Sequence, residues 1–296
     1  MTKQAGAFIV VYGPSKAGKT TACGAAAAAG LFIAQAGALT PVRRFLGAEN
    51  LQEHRAKSVM EATTILEKEG KKHPIICVDD FSLLVEQTIR DLESKYSFGD
   101  MWRRLRTQVL GMRDAARELT ESGIHVIFNA HEQPQRTSSV KYVRGGPALP
   151  GQLPEQFSAF ADVVARAVFD ETAAPWKYVF HTGPNGQWIS GDRLSVFPDE
   201  SPMNIAEGLR EAGFPCPRPK GLEWQEKVAE VGAQAVLDAG LEDWRAPLRE
   251  IADKINGAKP PAHVRWALQD ALHRAILRSA QQGVVEDFFA GEGEDW

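Results

Sequence analysis

A short stretch near the start of the chain has the residue types and spacing that can hold a phosphate chain. Residues 13–20, Gly-Pro-Ser-Lys-Ala-Gly-Lys-Thr, match the pattern G-x-x-x-x-G-K-[ST] and follow the apolar run 7–12. Glycines let the backbone curl so that its N–H groups face phosphate oxygens, while Lys19 reaches the terminal phosphates and the Thr20 hydroxyl binds Mg²⁺. The pattern therefore predicts a site for a nucleoside triphosphate with Mg²⁺. The predicted cradle comprises Gly13, Pro14, Ser15, Lys16, Ala17, Gly18, Lys19, Thr20 and Thr21.

Two further groups of polar residues close apolar runs that predict buried strands. Asp79 and Asp80 follow the run 74–78, and His131 and Glu132 follow the run 124–130. Because the carboxyl ends of parallel strands meet at one sheet edge, where ligands bind, we expect Asp79 to hold Mg²⁺ there through water. A histidine at this edge is either a structural residue or a catalytic one, and its type leaves both interpretations open.

The rest of the pattern positions these groups in an alternating α/β chain. An alanine-rich helix and a second strand follow the phosphate loop, and amphipathic helices separate the later strands. This order favours an α/β fold with a mainly parallel central sheet and a β-hairpin extension near an Asn185-Gly186 turn signal. The predicted helices are 20–29, 51–69, 81–95, 101–120 and 201–213, the predicted strands are 7–12, 31–34, 74–80, 124–131, 162–170, 176–182 and 187–190, and loops are predicted at 40–50 and 96–100.

A long segment after His131 lacks apolar periodicity. Residues 133–156 include Arg136, Lys141, Tyr142 and Arg144 together with three glycines and four prolines. Basic residues that follow phosphates and an aromatic ring that stacks on a base are typical of single-stranded nucleic-acid binding. The alternative is a mobile surface loop without a ligand.

Composition limits the classes of protein to which the chain can belong. The chain has 296 residues, of which 44% are hydrophobic and 24% charged, and a formal net charge of -4, which argues against a uniformly basic nucleic-acid binder. Its three cysteines have unrelated spacings, which predicts reduced thiols and neither a disulfide framework nor a metal site. We find no signal peptide and no apolar window long enough for a membrane span, so we expect no membrane partner and a cytoplasmic location.

The chain divides into a large unit and a small one. We predict a core over residues 1–213, a proline-rich linker over 214–221, a small C-terminal helical region over 222–285 and an acidic tail over 286–296.

The order of motifs resembles the core of the RecA-like P-loop ATPases. Residues 32–41, 76–80 and 126–131 look like the three strands that follow the phosphate loop in that family. The similarity is strongest to the small phage-encoded group that includes single-strand annealing proteins, which share a Pro-Gly element like Pro150-Gly151 and an Asp-Arg pair like Asp192-Arg193. The resemblance covers about residues 5 to 213.

This resemblance implies roles for individual residues. Lys19 and Thr20 would bind the phosphates of ATP and Mg²⁺, Asp79 would be the acidic metal partner, and His131 would sense the terminal phosphate. Arg193 would be an arginine finger donated to a neighbouring subunit. The segments 94–100 and 133–151 would be the two DNA-facing loops.

The chain departs from the family at one catalytic position. Ala36 stands where RecA proteins carry a catalytic glutamate. Either another carboxylate positions the attacking water, with Asp80 the first choice and Glu132 the second, or hydrolysis is slow and ATP acts mainly as an assembly switch.

The resulting hypothesis is an ATP- and Mg²⁺-dependent ATPase that binds single-stranded DNA in recombination or strand annealing and is encoded by a phage, acting in the host cytoplasm. It would assemble as a homo-oligomer, either a filament or a ring, and a single-strand-binding protein is a further candidate partner. The alternatives are a ring-type motor or packaging ATPase, and a nucleotide-gated adaptor with little hydrolysis.

Overall fold

A computed structural model describes residues 4–27, 30–35, 37–40, 42–43, 52–137, 142–169, 178–216 and 234. Ala36, Lys141, most of the predicted linker and almost all of the predicted helical region and acidic tail lie outside these residues, and so the predictions made for them remain predictions.

The described residues form one large sheet with helices on both faces. The strands are β1 (Phe8–Gly13), β2 (Leu31–Ala34), β3 (Gln52–Arg55), β4 (Ile75–Asp79), β5 (His125–Gln133), β6 (Arg136–Thr137), β7 (Tyr142–Val143), β8 (Gly146–Pro147), β9 (Val163–Phe169), β10 (Tyr178–His181), β11 (Gly191–Asp192) and β12 (Glu200–Pro202). The helices are α1 (Lys19–Ala27), α2 (Val59–Glu69), α3 (Phe81–Glu93), α4 (Phe98–Glu121), α5 (Leu153–Ser158) and α6 (Ile205–Glu211), and a 3₁₀ turn spans Gly70–Lys72.

The sheet has the order β12-β10-β9-β1-β5-β4-β2-β3. The six strands from β9 to β3 in this order are mutually parallel, while β10, β11 and β12 add antiparallel pairings beside β9. The predicted α/β class, mainly parallel sheet and hairpin extension are confirmed. Since β5 lies between β1 and β4, the phosphate loop and Asp79 belong to strands that are not direct neighbours.

Both faces of the sheet are buried, which is why its central strands read as continuous apolar runs. On one face Phe8, Val10 and Tyr12 of β1 pack with residues of α2, α3, α4 and α5. On the other face Ile9 and Val11 pack with α1 and α6. The short side chains of α1 let that helix lie close to the sheet, directly behind the phosphate loop.

The predicted helix over 51–69 is wrong at its start. Gln52–Arg55 form β3, the outermost strand beside β2, and α2 begins only at Val59. Ser58 caps this helix by accepting a hydrogen bond from the Glu61 N–H at 3.2 Å. An edge strand needs no apolar alternation when most of its side chains face water, which explains why its polar sequence gave no strand signal.

The segment 133–156 is more regular than its sequence predicts. In the described residues β6 and β7 form a short hairpin, β8 pairs antiparallel with the end of β5, and α5 starts at Leu153. These pairings are made by backbone groups, so a segment without apolar periodicity can form them.

Four other boundaries also differ from prediction. Helix α4 begins at Phe98 inside the predicted loop 96–100, and residues 40, 42 and 43 of the predicted loop 40–50 are helical. The strand predicted at 187–190 is replaced by β11, with Trp188 forming a bridge to Gly145. Residues 200–202 form β12, and α6 starts later, at Ile205.

The three cysteines, Cys23, Cys77 and Cys216, are buried thiols, as predicted. Cys216 and Pro215 belong to the predicted linker, yet the carbonyl of Pro215 contacts His125 Nε2 at 2.9 Å, so the first residues of that linker pack on the core. None of the described helices is long and apolar enough to cross a membrane.

Candidate functional site

The phosphate loop connects the carboxyl end of β1 to the first turn of α1. Lys16 and Gly18 have φ angles of 67° and 78°, a left-handed curl that turns the loop back over the helix terminus. Backbone N–H groups at a helix start, together with the helix dipole, form a binding site for anions. The local geometry is therefore that of a phosphate cradle.

Lys19 is held inside this cradle. Its side chain is only 6% exposed, and Nζ donates hydrogen bonds to the carbonyl oxygens of Gly13 at 3.0 Å and Pro14 at 2.8 Å. Burial lowers the pKa of Lys19, while nearby groups, of which Asp80 is the strongest, act in the opposite direction. The ammonium group is thus a preorganised cation at the mouth of the loop.

Asp79 lies at the carboxyl end of β4 and faces α1. It is 2% exposed, and burial raises its pKa to about 6, although hydrogen bonds from Thr20 and Asn129 act to lower it. Asn129 Nδ2 bridges the two residues by donating to Asp79 Oδ1 and, at 3.3 Å, to Thr20 Oγ1. Asp79, whose charged form is disfavoured by burial, is therefore held next to the Thr20 hydroxyl of the phosphate loop.

One oxygen of Asp79 shows that these residues fit a hard cation. Asp79 Oδ2 is buried and accepts no hydrogen bond from any described residue. Mg²⁺ prefers oxygen ligands and keeps several of its waters, so the Thr20 hydroxyl and the Asp79 carboxylate are a suitable donor set. Asn129 would orient both of them as an outer partner.

Asp80 and His131 form a second pair at the same edge. Asp80 Oδ1 caps α3 by accepting from the N–H of Ser82 at 2.8 Å, and its Oδ2 lies 2.7 Å from His131 Nε2. The backbone N–H of His131 donates to Ser82 Oγ at 3.0 Å. Burial raises the pKa of Asp80, and His131 is the largest opposing influence. Both carboxylate oxygens are thus engaged, and Asp80 orients the imidazole of His131.

Glu132 is engaged by an arginine from the strand on the far side of β1. Arg166 Nε lies 2.7 Å from Glu132 Oε2, and the guanidinium lies 3.5 Å from the centre of the Trp188 ring. Tyr12 lies beneath this pair with its hydroxyl bonded to the Ile189 carbonyl at 2.8 Å, and burial raises its pKa. The pair therefore sits beside the phosphate loop, and its position is defined from several strands.

Arg193 does not lie at the sheet edge that carries the phosphate loop. Its Nη2 donates to the Ala161 carbonyl at 2.5 Å and lies 3.9 Å from Asp162 Oδ1. Asp162 also accepts from the N–H of Phe8 at the amino end of β1. Arg193 is therefore at the opposite edge of the sheet from the phosphate loop of its own chain. A role on a neighbouring subunit stays a prediction.

Three of the predicted DNA-binding residues, Arg136, Tyr142 and Arg144, lie in or next to the small hairpin. Arg136 is exposed on β6, Tyr142 pairs with Thr137 through the backbone, and Arg144 lies 3.7 Å from Glu155 of α5. The hairpin follows β5 directly and thus leaves the sheet at the edge that carries the phosphate loop.

Sequence reasoning missed Asn129 and Arg166. Asn129 did carry a signal, since it is a polar residue inside an apolar strand, two positions before His131 and therefore on the same face. Arg166 carried none, because its relation to Glu132 follows from the placement of β9 next to β1.

The AAA domain family matches residues 5–194 of the chain, which include the phosphate loop, Asp79, His131 and Arg166. No curated protein matches the sequence. Among solved structures the chain is similar to a KaiC-like protein from the hyperthermophilic archaeon Pyrococcus horikoshii OT3, with 16% identity, a TM-score of 0.36, and coverage of 60% of this chain and 77% of that one. That likeness is too distant to carry an argument about function.

Proposed function

We propose that this chain, which belongs to the AAA domain family, binds and hydrolyses ATP with Mg²⁺ and holds single-stranded DNA in a manner that depends on the bound nucleotide. The observation that supports ATP and Mg²⁺ most directly is the alignment of the Lys19 ammonium, the Thr20 hydroxyl and the unpaired Oδ2 of Asp79 at one sheet edge. Recombination or strand annealing is the process in which we place this activity.

The nucleotide site works by positioning and charge stabilisation. Mg²⁺, when bound, would neutralise charge on the terminal phosphates. Lys19 contributes a second positive charge, held within the loop by two carbonyl groups. His131, oriented by Asp80, is placed to detect whether the terminal phosphate is present.

Two carboxylates are candidates for positioning the attacking water. Asp80 would have to give up either its helix cap or its contact with His131, so we assign it the orientation of His131. Glu132 needs only to exchange one partner, the Arg166 guanidinium that binds its Oε2, for the attacking water. We therefore propose Glu132 as the group that acts on water and Arg166 as the residue that restrains it.

The proposed DNA surface extends from the hairpin to the start of α4. Arg104 lies over the ring of Tyr96 at 4.1 Å, and Phe98 beside them is 78% exposed. Exposed rings next to arginine are suited to base stacking and phosphate contact.

A chain of contacts through α5 joins this surface to the hairpin. Arg144 contacts Glu155, and the next residue, Gln156, accepts a hydrogen bond from Arg106 of α4 at 3.2 Å. The basic hairpin and the aromatic start of α4 therefore lie on one continuous side of the molecule.

A binding assay with a labelled single strand tests the proposal. With ATP and Mg²⁺ present, affinity should fall as salt rises, and Arg136→Ala should reduce the slope of log affinity against log salt by about 0.7, the contribution of one phosphate contact on a single strand. Arg55→Ala is the matched control, because Arg55 is equally a surface arginine but lies on β3 at the far end of the sheet.

One outcome of this binding assay and two outcomes of a turnover assay would change the assignment. Binding that is insensitive to ATP and salt would refute the DNA part. Stimulation of turnover by duplex in preference to single strands would favour a motor. An absence of turnover in both wild type and Lys19→Ala, with ATP still altering partner binding, would favour a nucleotide-gated adaptor.

A further inference from the structure

The positions of the polar groups indicate which way a bound triphosphate runs along the sheet edge. The groups that engage its terminal phosphates and Mg²⁺ are Asp79 of β4 and Asn129 and His131 of β5, which lie on one side of β1. On the other side of β1 is β9, followed by β10. A nucleotide whose terminal phosphates face β5 must extend its nucleoside away from β5, so the residues of β9 and β10 near the loop are those it would meet.

Two exposed aromatic rings stand at that place. Tyr178 on β10 and Phe169 on β9 are register partners, with ring centroids 4.9 Å apart and an angle of 53° between the planes. Tyr178 is 47% exposed and Phe169 is 43% exposed. Large aromatic side chains that remain open to water as a contacting pair are uncommon unless something binds them.

Tyr178 also lies next to the phosphate loop. A Cβ atom placed on Gly18 would lie 3.3 Å from Tyr178 Cδ1 and 3.9 Å from Met203 Cε. Gly18 stands directly before Lys19, so the ring edge fills the space where a Gly18 side chain would lie, next to the backbone that cradles the phosphates. The Tyr178–Phe169 pair and the phosphate loop therefore lie side by side.

We propose that Tyr178, supported by Phe169, forms the platform on which the base of the bound nucleotide stacks. The platform rests on the proposed binding of ATP. It takes a nucleobase, and purines better than pyrimidines, because contact between flat π-surfaces grows with ring area. It would explain why β9 and β10 continue past the sheet edge with exposed aromatic residues.

Inorganic tripolyphosphate distinguishes the contribution of the base to binding from that of the phosphates. It carries the phosphate chain without a base, so dissociation constants for ATP and tripolyphosphate, both measured with Mg²⁺ on the full chain, report the two parts of the site separately. Tyr178→Ala should weaken ATP binding by about 5- to 150-fold, the range given by base stacking on an aromatic side chain, and change tripolyphosphate binding by less than about twofold. Tyr178→Phe should keep ATP affinity within about twofold of wild type, since the ring is retained.

Phe160→Ala is the matched control. Phe160 is 46% exposed and also contacts an arginine, Arg113, but it lies just before β9 at the amino edge of the sheet. This variant should bind both probes like wild type. Unchanged tripolyphosphate binding also shows that the phosphate loop of Tyr178→Ala is folded.

The possible failures are distinguishable. If wild type binds both probes and Tyr178→Ala either leaves ATP affinity unchanged or weakens both probes equally, the platform is refuted and the ring only supports the loop. If wild type binds neither probe, the proposed function fails and the platform fails with it.

Discussion

Replacing Asp79 with asparagine should stabilise the nucleotide-free protein at neutral pH while removing the proposed metal ligand. Burial raises the pKa of Asp79 from 3.8 to about 6. Each pKa unit corresponds to about 1.36 kcal/mol, so the roughly two-unit rise costs the folded state about 3 kcal/mol once the carboxylate is charged. The folded state holds this proton more tightly than the unfolded state, so stability is lost as pH rises through 3.8 to 6 and stays low above 6.

Urea unfolding in EDTA at two pH values measures this effect. About 2 kcal/mol of the cost develops between pH 4.5 and pH 8, because at pH 4.5 the unfolded carboxyl is already mostly ionised. The unfolding free energy of Asp79→Asn minus that of wild type should therefore be about 2 kcal/mol more positive at pH 8 than at pH 4.5. The comparison across pH cancels any constant cost of the new amide. Asp91→Asn, an exposed change on α3, should show no such dependence.

The same variant should lose its response to ligand. ATP with Mg²⁺ at about 100 times the dissociation constant should stabilise wild type by about 2.7 kcal/mol and Asp79→Asn by much less. If the difference between variant and wild type is the same at both pH values, or if it shrinks on going to pH 8, the reasoning that burial penalises the charged carboxylate is refuted.

Other substitutions test the neighbouring groups. Asp80→Asn should lower turnover by about tenfold or more while leaving ATP affinity nearly unchanged, since it disturbs the imidazole that we propose as the phosphate sensor and leaves the cradle intact; equal turnover would remove Asp80 from the mechanism. Glu132→Gln should lower steady-state turnover by roughly 10²- to 10⁴-fold, whereas Arg166→Ala should raise turnover measured without DNA; a fall in both variants would mean that Arg166 aligns Glu132 and does not restrain it. Gly13→Ala should destabilise the protein by about 1–3 kcal/mol in thermal unfolding, because its Cβ would lie 2.2 Å from the Ala167 carbonyl oxygen, and an unchanged melting temperature would contradict that contact.

The sequence predicted the parts of the site that depend on short segments. The phosphate loop is a local motif, and Asp79 and His131 each close an apolar strand. Parallel strands bring their carboxyl ends together whatever the order of the strands, so these residues could be placed at one edge before the order was known.

Features that depend on which strands are neighbours could not be predicted in this way. The Glu132–Arg166 pair exists because β1 lies between β5 and β9, and no local pattern encodes that order. The position of Arg193 is of the same kind: it follows β11, which pairs with the start of β9 at the edge opposite the phosphate loop, so its predicted role on a neighbouring subunit's nucleotide stays a prediction. The strand Gln52–Arg55 was missed because a polar strand at a sheet edge resembles a loop in sequence.

Strand β5 constrains how this protein can change in evolution. Asn129 faces α1, whereas Ala130 packs in the core on the opposite face, and Glu132 follows Ala130 in the alternation. Deleting or inserting one residue before Asn129 would exchange the two faces, because side chains alternate along a strand. Asn129, His131 and Glu132 would then all leave their positions together. A substitution at one position of β5 disturbs one of these groups at a time, whereas its length before Asn129 should be invariant among functional relatives.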